Sequence, residues 1–173
     1  MLRLRPPRPD DEPAFRAGHD AMAAEGHLFA PWYSPDMNFD DYLKRLEDHR
    51  AGVNLPERFV PSTFLVAEVD WVGRTGREIV GRASIRHRLN DFLLHEAGHI
   101  GYGVLPARRR RGYATEILRQ SLIIARSMGI DRVLVTCDDE NVGSIKTIEA
   151  CGGQLEDVVT AETGVPRRRY WIG

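Results

Sequence analysis

The stretch IGYGVLPARRRRGYATEIL, residues 100–118, constrains the fold more than any other part of the chain. It opens with β-prone residues and glycines, and Pro106 stops any strand. From Gly112 onward Ile117, Leu118, Ser121, Leu122 and Ala125 recur at helical spacing. A strand must therefore pass the chain to an amphipathic helix across a short turn. The first backbone N–H groups of such a helix have no partner inside it, and they lie at the positive end of its dipole. Arg109, Arg110, Arg111, Gly112, Tyr113 and Ala114 thus make a candidate seat for a pyrophosphate. Small Gly112 and Ala114 let an anion approach the backbone, and the arginines add charge-assisted contacts. The turn lacks the closing Lys-Ser/Thr of a Walker A loop and the G-x-G-x-x-G of a dinucleotide fingerprint. On these residues alone, a solvated arginine turn explains the charge as well as a phosphate seat does.

Just upstream, HEAGH at 95–99 matches H-E-x-x-H, the zinc peptidase signature, letter for letter. In such sites two histidines one helical turn apart hold one ion. Here Gly98, Gly101 and the β-prone residues that follow favour an extended chain, in which His95 and His99 would lie roughly 13 Å apart. An ion with ligands at about 2 Å does not bridge that gap. Glu116 falls in the later helix, so a third ligand is poorly placed. No metal is expected.

The rest of the chain reads as elements of a mixed α/β domain. LRLR at 2–5 alternates as a short strand; Asp10 is a candidate cap for a first helix with Pro13 in its opening turn. Asn38 caps a second helix with Phe39, Tyr42, Leu43 and Leu46 on one face. STFLVAEVD and EIVGRASIRHRL read as a hairpin around WVGRTGR, and GHIGYGV at 98–104 as a third strand of this group. Gly129 suits the end of the long helix. RVLVT at 132–136 is a buried strand, and Asn141 opens a short helix with Ile145 and Ile148 inward. GGQLEDVVT and RRRYWI close the chain as strands. The order β-α-α-β-β-β-α-β-α-β-β, without a dividing linker, predicts one domain over 1–173.

Composition narrows the function classes. The 173 residues carry 42% hydrophobic and 28% charged side chains with a net charge of -1, a globular balance. Only Lys44 and Lys146 among 24 basic residues are lysine, a bias that suits a GC-rich genome and discounts any single arginine. The runs RRRR at 108–111 and RRR at 167–169 lack the broad basic face with interleaved aromatics that nucleic-acid binding wants, so no nucleic-acid partner is expected. Cys137 and Cys151, without a CxxC, suit a reduced compartment. The opening MLRLRPPRPDDEP lacks an apolar leader, and no run is long enough to cross a bilayer. A cytoplasmic protein without a membrane partner is the expectation.

Two motifs at the right separation now bear on function. Arg109-x-x-Gly112-x-Ala114, preceded by Pro106, and Asn141-Val142-Gly143-Ser144 at the start of the next helix, followed by CGG at 151–153, resemble the GCN5-related N-acetyltransferase (GNAT) superfamily. The resemblance implies a single mixed, mostly antiparallel sheet of about six to seven strands flanked by about four helices, with strands four and five splayed apart. It implies acetyl-CoA as co-substrate, its arm paired with the backbone of Tyr102, Gly103 and Val104. Arg109 to Ala114 would hold the pyrophosphate, and Asn141 and Ser144 would contact the arm or the phosphates. The implied activity is direct transfer of the acetyl group to an amine in a ternary complex, so Cys137 and Cys151 need not be nucleophiles. The alternative is a GNAT-like module that binds CoA without catalysis.

An amine with pKa about 10.4 is only about 0.1% neutral near physiological pH, so a proton acceptor is needed. By the resemblance, Glu96 occupies the base position at the start of strand four. If that strand begins there, Glu96 shares a face with Gly98, Ile100 and Tyr102, while His99 on the other face is the reserve. The family's acid tyrosine is replaced by Ile148; Tyr102, Tyr113 and Tyr170 remain as substitutes. The acceptor is an amine of a small molecule or peptide. Trp32 and Tyr33 either line its pocket or cover a core edge. Acidic Asp36, Asp40 and Asp41 favour a cationic acceptor, and IRHRLND at 85–91 an anionic one. Monomer and homodimer stay open.

Overall fold

Alternating and amphipathic segments assemble as the patterning predicts in a computed structural model that describes residues 1–70 and 76–173. In chain order the elements are β1 (Leu2–Arg5), α1 (Glu12–Ala23), α2 (Phe39–Ala51), β2 (Ser62–Asp70), β3 (Arg77–Arg86), β4 (Ile100–Val104), α3 (Tyr113–Ser127), β5 (Val133–Asp138), α4 (Val142–Ala150), β6 (Gln154–Thr160) and β7 (Pro166–Ile172). β1-β2-β3-β4 form one antiparallel set and β5-β7-β6 a second. β2 and β3 pair as a hairpin would; of WVGRTGR between them, residues 71–75 lie outside the described residues.

Strand alternation gives the first set two buried faces. Phe64 and Val66 of β2 join Phe15, Phe29, Tyr33, Phe39 and Tyr42 beneath α1 and α2. Phe15 meets the rings of Phe29, Tyr33 and Phe39 edge-on at 5.1–5.2 Å, the favoured quadrupole arrangement. On the opposite face Leu65, Ile85 and Ile100 share one cluster with Leu118, Val133, Val135, Ile148 and Tyr170. That cluster runs under both sets, so α3 and α4 hold them together where backbone pairing does not. Trp32 and Tyr33 are core-edge residues: Trp32 packs on His49 and Phe59, and Tyr33 on Phe15.

Two local readings need correction. The first helix is not capped by Asp10. A 3-10 turn, Pro9–Asp11, precedes Glu12, and the Asp11 carboxylate turns away to clasp Arg5 at 2.6 and 2.7 Å. The second correction lies beside the site. Residues 95–97 are not extended: Leu93–Ala97 is a π-helical turn closed by Gly98 N–H on the Leu93 carbonyl at 2.6 Å, and β4 starts only at Ile100. Gly98 leaves the turn at φ +65, and a Cβ there would stand 2.6 Å from the Leu134 carbonyl oxygen, so only glycine fits. The face shared by Glu96 and Ile100 on strand alternation therefore does not exist.

Candidate active site

The turn after β4 departs from regular helix and strand backbone. Pro106–Arg108 is a 3-10 turn, and Arg110 (φ 63) and Gly112 (φ 78) both take left-handed backbone. Among the described residues none of the amides of 110–115 donates to an acceptor; the next, Glu116 N–H, reaches the Gly112 carbonyl at 3.2 Å. Successive free amides at alternating backbone hands form a concave anion nest at a helix start. A Cβ on Gly112 would meet nothing within 4 Å, so space lies over it. The arginines divide. Arg108 pairs with Glu78, and Arg109 pairs with Glu25 at 2.6 Å while its Nε donates to the Val104 carbonyl at 3.3 Å. Arg110 and Arg111 are exposed.

The seam between β4 and β5 leads away from this seat. Leu105 N–H bonds the Val80 carbonyl and Arg86 N–H the His99 carbonyl, which fixes the hydrogen-bonded pairs of β3 and β4. By alternation the backbone groups of Gly101 and Gly103 face β3, while those of Ile100, Tyr102 and Val104 face β5. β5 spends its odd-numbered positions on β7, as Asp139 N–H on the Pro166 carbonyl shows, so Thr136 and Asp138 face β4. Among the described residues one main-chain bond crosses the seam, from His99 N–H to the Leu134 carbonyl at 2.7 Å. Beyond it, among the described residues, no main-chain bond joins the two edges, and of the outward groups of β4 the Val104 carbonyl is met by Arg109. Gly103, named from the family pattern as a backbone partner, offers that edge no side chain rather than its amide.

Around the seam stand the side chains singled out from the sequence. Tyr102 reaches from β4 to the start of α4, its hydroxyl 2.7 Å from Ser144 Oγ; burial pushes its pKa up to about 12. Asn141 caps α4, its Oδ1 accepting Ser144 N–H at 2.9 Å. Tyr170 lies on Glu149, and Tyr113 is half-buried at the head of α3. Glu96 is 6% exposed, and its carboxylate accepts Glu162 N–H at 3.2 Å in the β6–β7 turn. His99 is buried; its Nδ1 accepts Leu134 N–H at 2.9 Å, and burial, then Arg86, push its pKa down to about 4. His95 instead bonds the Thr160 carbonyl at 3.1 Å. The two histidines thus point to different partners, because the π turn ends between them, and not because the chain is extended. Among the described residues no group of three His, Cys, Asp or Glu side chains is placed to hold a metal ion. Burial raises Cys137 to about 11 and raises Cys151, leaving both as thiols.

Two site-facing residues escaped the sequence reading: Arg82, and in part Arg86, which lies in the IRHRLND segment. Both are on the face of β3 turned toward α1 and α2, against Gly101 and Gly103. Their signal is strand alternation around Ser84, legible only once β3 and β4 are paired.

Solved structures share this architecture. Mycobacterium smegmatis RimJ in complex with CoA-disulfide superposes with a TM-score of 0.68 at 20% identity, covering 99% of this chain and 81% of that one. The microcin C7 self-immunity acetyltransferase MccE, in complex with acetyl-CoA and AMP, gives 0.68 at 18%, covering 99% and 91%. The yncA protein of Salmonella typhimurium, with its cofactor acetyl-CoA, gives 0.63 at 18%, covering 99% and 92%. At these identities the likeness speaks for the fold. No curated protein matches the sequence. The acetyltransferase (GNAT) domain profile matches residues 1–154, which takes in the anion nest, the seam and the head of α4. This chain belongs to the GNAT acetyltransferase family.

Proposed function

We propose that the protein is an acetyl-CoA-dependent N-acetyltransferase that passes the acetyl group directly to an amine. The observation that carries this reading is the run of amides at 110–115 that have no partner among the described residues, one turn beyond the unpaired edge of β4. A diphosphate fits the first, because its oxygens supply the acceptors those donors lack. A chain of amides fits the second, as an added strand fits a sheet edge. The free N–H groups of β4 suit the polarising of a thioester carbonyl, a contact that strengthens as negative charge develops on its oxygen. Bound acetyl-CoA supplies the activated acyl carbon and a thiolate leaving group.

The remaining chemistry falls to this chain. The acceptor nitrogen attacks the acyl carbon, the C–S bond breaks, and one proton leaves the nitrogen. Glu96 is the better of the two candidate bases. Its carboxylate has free lone pairs, whereas His99 spends its acceptor nitrogen on Leu134 N–H and so carries its proton on Nε2. Tyr102, protonated and held by Ser144, is the group we assign to the leaving thiolate. Neither cysteine is a thiolate, which suits direct transfer over an acyl-enzyme. A cytoplasmic setting fits the free thiols and the lack, among the described residues, of any helix long and apolar enough to cross a membrane.

The test is a thiol-release assay with acetyl-CoA and a panel of amino acids, peptides, polyamines and aminoglycosides. Amine-dependent release of CoA is expected. Tight binding of acetyl-CoA with no release against any amine would favour a binding module instead.

A further inference from the structure

The face of β3 and β4 beneath α1 carries two cations that the fold does not neutralise. Arg82 Nη1 lies 3.3 Å from where a Cβ on Gly101 would stand, and its Nε 3.5 Å from that of Gly103; Arg86 Nη1 lies 3.7 Å from the Gly101 position. The two glycines thus make the room in which both guanidinium groups rest, beside the free edge of β4. Among the described residues Arg82 donates one hydrogen bond, from Nη2 to the Leu28 carbonyl at 2.9 Å, and its enclosed Nε meets no acceptor. Arg86 donates to the Ala97 and Gly98 carbonyls, both at 3.2 Å. Among the described residues neither meets a carboxylate. The arginines around them do: Arg109 meets Glu25, Arg167 meets Asp138 and Arg169 meets Asp157. Burial pushes Arg82 down to about 10, with Arg86 adding to it, and burial and Arg167 lower Arg86.

A fold that leaves two neighbouring cations half-buried without counter-charge gains by admitting an anion. We infer that Arg82, steadied by Arg86, binds the carboxylate of the acceptor, so that the acceptors are amines bearing a carboxylate, of amino-acid type, rather than polyamines. The inference rests on the acetyltransferase reading above. A guanidinium matches a carboxylate through paired N–H donors, which orients the ligand as well as attracting it. The same charges act on the nucleophile: nearby cations disfavour the ammonium form and ease loss of the proton that must leave before attack. A polyamine brings further positive charge to this face and meets repulsion.

The experiment measures CoA release by the purified enzyme near neutral pH with L-amino acids, their C-terminal carboxamides, and spermidine. The expected result is a preference of roughly tenfold or more in kcat/KM for some amino acid over its own carboxamide, with spermidine below both. In Arg82→Met the acid-to-amide ratio should fall toward one through a raised KM, and Arg82→Lys should restore part of it. Carboxamides or spermidine turned over as well as the acids, or an unchanged ratio in Arg82→Met, would overturn the carboxylate assignment while leaving an acetyltransferase. If Arg82→Met does not fold, the ratio measured on the unaltered enzyme decides alone. No release with any acceptor would strike the reading underneath.

Discussion

Glu96 and His99 lie close in sequence and meet different partners. With its Nδ1 accepting from Leu134, His99 joins β4 to β5 as a neutral ring. The unfolded chain takes up this proton below about pH 6.5, whereas the folded protein refuses it down to about 4. The unfolded state therefore binds more protons in that window, and stability falls as pH drops through it, by on the order of 2–3 kcal/mol from this residue. Urea unfolding at pH 7 and pH 4.5 should show a smaller loss for His99→Gln than for the parent, since Gln can still accept from Leu134 and has no proton to gain. Equal losses would mean that His99 is not a buried neutral ring. For Glu96 the account predicts that Glu96→Gln lowers turnover by tenfold or more near pH 7 and less near pH 9, where the amine loses its proton unaided. A uniform effect across that range would remove Glu96 from proton transfer. Both residues stand out in the sequence as candidates, but their partners do not. The alternation that set them on opposite faces needs an extended chain, and the contacts that distinguish them come from Leu134 and Glu162. Likewise nothing local shows that Arg108 and Arg109 are spent on Glu78 and Glu25 while Arg110 and Arg111 are not.

Among the elements, α3 was the most readable. Its buried residues Ile117, Leu118, Ser121, Leu122 and Ala125 are the set that the spacing marks, because a 15-residue amphipathic helix carries its own signal. The π turn at Leu93–Ala97 was the least readable, for a physical reason. Arg167 donates to the Glu96 carbonyl at 3.1 Å, Arg169 to that of Leu94 at 2.7 Å, and Arg86 to those of Ala97 and Gly98. Donors from β3 and β7 satisfy these carbonyls, so the turn is a product of tertiary structure that no local window contains. The head of α3 yields a prediction of its own. Gly112 sits at φ 78 with open space where a Cβ would go, so Gly112→Ala costs about 1–2 kcal/mol of stability from backbone strain rather than from a clash. Relaxing that strain turns the amides of the nest, so acetyl-CoA affinity should fall severalfold as well. Calorimetric titration showing lost stability with unchanged affinity would separate the turn from the binding site.

For the molecule as a whole, the element order and the separation of β4 from β5 followed from the patterning and the family resemblance. The arrangement of the seam did not. Two hydrogen-bonded sets share one apolar core through Ile100, Val135 and Tyr170, yet among the described residues one main-chain bond, His99 to Leu134, joins their edges. The core keeps the edges in place without closing them, which is what a binding groove between strands requires. On the proposed function a diphosphate occupies the 110–115 amides and a bound arm pairs with β4. Amide hydrogen exchange with and without acetyl-CoA tests it most directly. Slowed exchange is expected at 110–115 and at Tyr102 and Val104. Binding that leaves those amides unprotected, or no binding at millimolar acetyl-CoA, would contradict it.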